Sequence, residues 1–86
     1  PRALKAAMSA AYEDFVARVD RGEDTAIDPY AADSPGEFFA VLSAGFFASP
    51  AMLEREYPAV YRQFAAFYRQ DPAARAVAAG RARPLT

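Results

Sequence analysis

The 86-residue chain carries ten basic and eleven acidic side chains, a formal net charge of −1, and 53% of its residues are hydrophobic. That balance excludes a disordered chain and offers no strong basic field to draw nucleic acid or an anionic membrane. With no cysteine and no histidine, there is no disulfide framework, no thiolate metal site and no imidazole for acid–base catalysis or metal ligation.

The first periodic segment runs from Pro1 to Val19. Leu4, Met8, Ala11, Tyr12, Phe15, Val16 and Val19 recur at three- and four-residue spacing and form one apolar helical stripe. Arg2, Lys5, Glu13, Asp14 and Arg18 fall largely on the other faces. Glu13, Asp14 and Arg18 read as a solvated face with i,i+4 pairing. Gly22 closes the pattern just past the helix end. Glu23 to Ala32 keeps no sustained period and contains Asp28-Pro29, so a loop is predicted there.

Ser34-Pro35-Gly36-Glu37 is a helix start. Ser34 suits the N-cap, Pro35 the first helical position, and Glu37 the third, where a capping box places Glu. The predicted helix runs to Phe47. Phe38, Phe39, Val41, Leu42, Phe46 and Phe47 leave it little polar face, which predicts the central and most buried helix. Gly45 lowers its propensity and suggests a close helix–helix approach. Ser49-Pro50 repeats the cap-plus-proline signal for a short helix through Arg55, which Tyr57-Pro58 breaks. Pro58 opens another helix to Gln70 with an aromatic stripe. Asp71-Pro72 predicts a further cap, with a short alanine-rich helix from Ala73 to Ala79 ended by Gly80.

No segment alternates with period two over strand length, and no internal repeat appears. The predicted fold class is all-α, a small bundle of about four to five helices. Residues 1–80 form its helical unit and 81–86 a loose tail. No apolar run has the length of a bilayer span, and no secretory signal pattern is visible. The sequence opens at Pro1, with Met8 and Met52 both internal; it reads as a piece of something longer, or as a processed product.

Glu37 carries the main chemical question. The local reading, which the pattern alone favours, is that its carboxylate completes the capping box and faces the positive end of the helix dipole. The functional reading makes it a ligand or an acid–base group, partly desolvated beside Phe38 and Phe39 and stabilised by a cation or by hydrogen bonds. For Tyr30 the local reading is a ring packed on the bundle with its hydroxyl in water. Its functional reading is a hydrogen-bond donor to a developing oxyanion. Asp28 and Asp33 are turn and cap residues first and ligands a distant second. Tyr57, Tyr61, Phe64, Phe67 and Tyr68 read as core packing, because the arginines beside them are offset by Glu54, Glu56 and Asp71 and leave no basic groove for base stacking.

Several uncommon segments then occur together in order between Ile27 and Pro72: a D-x-Y-A-A turn, P-x-E-F-F-A-V, F-F-x-x-P, a Y-P-x-V-Y helix start and a closing F-Y-R-Q-D-P. Together they resemble the C-terminal part of the bacterial zinc-dependent peptidase family related to Mlc titration factor A, the DgsA anti-repressor. Pro1 to Gly22 fits that family's preceding amphipathic helix. The resemblance implies a zincin-like domain whose zinc is held by two histidines of an H-E-x-x-H helix and by a Glu from a later helix, which it places at Glu37. It places Tyr30 near the metal, suited to stabilising a tetrahedral intermediate. It further implies hydrolysis of a peptide substrate, of aminopeptidase type, in the cytoplasm. It also implies a protein partner in at least one branch, a glucose-responsive transcriptional repressor.

Two departures bear on this. The H-E-x-x-H helix is missing, so the chain by itself is predicted to be inactive and to bind zinc only within a complete protein. Where the family often has an acid in the segment Ser43-Ala44-Gly45, this chain has Ala44, which removes a carboxylate from behind the metal. The rival reading is a non-catalytic helical module that keeps only a partner-binding surface. Neither reading calls for direct nucleic-acid or membrane binding.

Overall fold

The computed structural model describes residues 2–68. Among the described residues there are four α-helices, one 3-10 helix and no strand: α1 (Arg2–Asp20), the 3-10 helix (Pro29–Asp33), α2 (Pro35–Ala48), α3 (Pro50–Glu56) and α4 (Pro58–Tyr68). The all-α fold read from the sequence is the fold that forms. The predicted alanine-rich helix from Ala73, its Asp71-Pro72 cap and the tail from residue 81 lie outside the described residues.

Proline sets the boundaries. The 3-10 helix, α2, α3 and α4 each open on one, at Pro29, Pro35, Pro50 and Pro58. The missing N–H is harmless in a first turn, and the ring presets a helical φ. The same rings hold the preceding residues out of helical geometry: Ser49 has φ −143°, ψ 61° and Tyr57 φ −139°, ψ 74°. Gly22 ends α1 at φ +73°. Its N–H donates to Val19 O and that of Glu23 to Arg18 O, at 2.9 and 3.0 Å, the pair of bonds of a Schellman motif.

Three local expectations change. The segment from Glu23 is not irregular throughout, because Asp28 nucleates a 3-10 helix. Its side chain accepts the Tyr30 N–H at 2.9 Å and its carbonyl accepts that of Ala31 at 2.9 Å. Ser49 provides no side-chain cap for α3; its N–H instead donates to Gly45 O at 2.8 Å and closes α2. Gly45 marks no tight approach either, since a methyl group added there would meet only the Met52 side chain, at 3.8 Å.

The core gathers Leu4, Ala11 and Phe15 of α1, Ile27, Ala31, three residues of α2 (Phe38, Leu42, Phe46), Leu53, Tyr57, and Val60, Tyr61 and Phe64 of α4. Full burial of a side chain such as Phe or Leu is worth about 1.5–3 kcal/mol. Phe38 packs against Tyr12, Phe15 and Tyr57, with ring centroids 5.4, 5.5 and 6.1 Å away. One helical turn pair further on, Phe46 meets Tyr61, Phe64 and Tyr68 at 5.4–5.5 Å. α2 touches every other element, yet it is not buried all round. Residues 38, 42 and 46 share one stripe at spacing four, whereas Phe39 and Phe47 lie one residue further round the helix, at 44% and 54% exposure.

Candidate functional site

The first turn of α2 is built as its sequence suggests. Ser34 is extended, at φ −161° and ψ 158°, and its Oγ accepts the Glu37 N–H at 3.1 Å. That bond satisfies one of the donors a helix start leaves open. The half-buried Glu37 side chain lies near enough to the Tyr30 phenol to act on it electrostatically. Glu37, through hydrogen bonding and charge, raises the Tyr30 pKa above the usual phenol value, with burial and then the charge of Asp33 adding to it. Tyr30 itself is 53% exposed. The two residues singled out in the sequence, seven positions apart, are therefore close enough for one to shift the other's pKa. Asp28 is occupied as the cap of the 3-10 helix.

These residues do not make a metal site by themselves. No group of three or more His, Cys, Asp or Glu side chains converges among the described residues, and a catalytic zinc needs three protein ligands. One carboxylate with a hydroxyl beside it is at most a fraction of such a centre.

Two features escaped the sequence reading. Arg18 is no solvated surface residue. Its guanidinium donates to Glu23, to Tyr57 Oη at 3.2 Å and to Glu56 Oε1 at 3.3 Å, and it lies over the Tyr57 ring at 5.9 Å. Tyr57 in turn donates to Asp14 Oδ2 at 2.9 Å. These bonds, led by that to Glu23, raise the guanidinium above its ordinary pKa. Burial is the main cause that pushes the Tyr57 phenol up to about 12. The expected i,i+4 pairing of Asp14 with Arg18 does form, at 4.0 Å, but spacing along the chain could not announce Glu56 and Tyr57, which are 38 and 39 residues away. The second feature is a cavity of about 640 Å³ between α1, α2 and α4, lined by Leu4, Met8, Phe39, Phe64 and Phe67 among others. It reaches the α2 start at Pro35, but neither Tyr30 nor Glu37 lines it.

The family model described as glucose-regulated metallo-peptidase M90 matches residues 1–69. The chain belongs to this metallopeptidase family. It is 48% identical to Mlc titration factor A of Edwardsiella ictaluri (strain 93-146) over 79 residues, 92% of this chain and 30% of that protein. It is 57% identical to Mlc titration factor A of Yersinia pestis (strain Pestoides F) over 53 residues, 62% of this chain and 20% of that protein. The chain thus spans less than a third of the length of these curated relatives. No solved structure matches it. Among the described residues, no helix is long and apolar enough to cross a membrane.

Proposed function

We propose that the chain is the C-terminal part of a cytoplasmic zinc-dependent peptidase of aminopeptidase type, to which it contributes Glu37 as a metal ligand and Tyr30 as a hydrogen-bond donor. The observation that supports this reading is the proximity of Tyr30 to Glu37 at the start of α2, within a segment that belongs to a metallopeptidase family. The remaining ligands, two histidines of an H-E-x-x-H helix, come from outside these 86 residues.

Zinc in such a centre supplies a Lewis acid and an activated water. The residues of this chain have separate parts. Glu37 offers an anionic oxygen on a backbone held by the Ser34 cap. Tyr30, whose pKa is raised, keeps its proton at neutral pH and stays able to donate to the oxygen that becomes negative as a peptide carbonyl is attacked. The substrate is a peptide. A second partner follows from the names of the relatives, which describe factors that titrate Mlc, and we extend that protein partner to this chain.

The reading frame upstream of Pro1 provides the direct test. It should encode H-E-x-x-H, and a frame without that motif ends the assignment. Zinc titrated into the 86-residue chain should show no tight binding, and sub-micromolar affinity there would mean a different site. In the complete protein, Glu37→Gln should lose the metal together with activity. Tyr30→Phe should keep the metal and lower kcat by roughly 10²–10³-fold.

The rival reading, a non-catalytic interaction module, draws on the exposed aromatics Phe39, Phe47 and Phe67. A complete protein that holds no zinc, yet binds a protein partner through that face, would favour it.

A further inference from the structure

Tyr30 and Glu37 sit on different elements, the 3-10 helix and α2, with only the extended Ser34 between them. Their mutual placement therefore depends on packing around that junction. One side chain of α1 touches both elements. The Tyr12 hydroxyl donates to Ala32 O at 2.8 Å, near the end of the 3-10 helix. The Tyr12 ring meets Phe38, the neighbour of Glu37, edge-on with centroids 5.4 Å apart.

Both contacts are well suited to fixing a position. The last carbonyls of a short helix have no partner within it, so a donor from a neighbouring element decides where that end lies. Phe38 is fully packed, with Phe15 and Tyr57 on its other sides. Its ring therefore forms a rigid stop for Tyr12. Ala31, between Tyr30 and Ala32, is completely buried, so the 3-10 helix is held from below as well.

We infer that Tyr12 is a positioning residue for the Tyr30–Glu37 pair: its hydroxyl holds the 3-10 helix by Ala32 O while its ring braces the first turn of α2 at Phe38. The chemical meaning of this role rests on the metallopeptidase reading, but the geometry belongs to the chain alone. Tyr12 acts through the two elements that carry the pair.

The experiment is NMR spectroscopy of the 86-residue chain without metal, as wild type and as Tyr12→Phe. In the wild type, nuclear Overhauser cross-peaks should join the Tyr30 ring to the Glu37 side chain and the Phe38 ring to that of Tyr57. The variant keeps the Tyr12 ring and removes only its hydroxyl. It should lose the Tyr30–Glu37 cross-peaks while keeping those between Phe38 and Tyr57, which a general loss of stability would weaken together. Tyr30–Glu37 cross-peaks that persist in the variant overturn the inference. A variant that loses both sets overturns the inference as well, because the hydroxyl then supports the whole fold rather than the pair. A negative result leaves the peptidase reading standing, since no metal enters the experiment. An upstream frame without H-E-x-x-H would end that reading and move no cross-peak.

Discussion

Arg18 joins three parts of the chain through single side-chain contacts: the turn after α1 at Glu23, the end of α3 at Glu56, and the α3–α4 junction at Tyr57. Its side chain is 17% exposed and that of Glu56 18%, so neither charge is freely solvated. Arg18→Met keeps most of the aliphatic stem and removes the donors. Chemical denaturation should show a loss of about 1–2 kcal/mol, more than an exposed ion pair contributes, because the half-buried Glu56 carboxylate and the buried Tyr57 hydroxyl are left without Arg18. The same cluster gives an alkaline pH dependence. The folded chain holds the Tyr57 proton up to about 12, whereas the unfolded phenol releases it near 10. Between those values the folded state binds more protons than the unfolded one, so stability falls as pH rises through that window. Tyr57→Phe should remove this part of the slope in denaturation curves measured across it. At the acid end the sign reverses. Arg18 holds Glu23 below its usual pKa, and the stability this pairing provides is lost as pH falls through that lowered value.

At the scale of the element, α2 shows how much local chemistry achieves. Ser34, Pro35 and Glu37 announce the helix start in sequence, and Ser34 Oγ does accept the Glu37 N–H. Ser34→Ala should therefore cost about 1 kcal/mol, read as a lower thermal midpoint. Gly45 tests the opposite direction. It is a helix-interior glycine with nothing closer than 3.8 Å to an added methyl group. Gly45→Ala should stabilise the chain by about 0.5–1 kcal/mol through the restricted unfolded backbone and the better helix propensity. A lower midpoint for that variant would mean a neighbour closer than Met52 Cε. The 3-10 helix that carries Tyr30 was harder to read. One aspartate side chain and one carbonyl build it, and such a short element has no period for a sequence to display. Tyr12 was legible only as part of an apolar stripe; a tyrosine on a buried face wants a partner for its hydroxyl, but nothing along the chain names Ala32.

On the scale of the whole molecule, Phe39, Phe47 and Phe67 stand 44–54% exposed, and Phe39 and Phe67 flank the apolar cavity against α1. Surface of this kind is unusual for a chain that works alone, and it accords with a segment that spans 30% or less of its relatives. Sedimentation of the 86-residue chain should show concentration-dependent self-association. Replacing the three phenylalanines by serine should reduce it and, because each ring also packs on a neighbouring aromatic side chain, lower the thermal midpoint as well, with the fold kept by the buried rings Phe15, Phe38, Phe46 and Phe64. A monomer at all concentrations would show that this face needs no cover.

What the residues determined by themselves is what short-range chemistry controls. Prolines, serine and aspartate caps and a glycine at positive φ set where helices begin and end, and the spacing of apolar residues makes the fold all-α. The Glu37 position at a helix start was legible for the same reason, and Tyr30 from the motif around it. Only the tertiary structure decided which phenylalanines of α2 turn inward, that Arg18 faces Tyr57 rather than water, and that the Tyr12 hydroxyl reaches Ala32. Those outcomes depend on contacts between residues 15 to 39 positions apart. Whether such residues meet is set by how the helices pack, and no local preference along the chain encodes that.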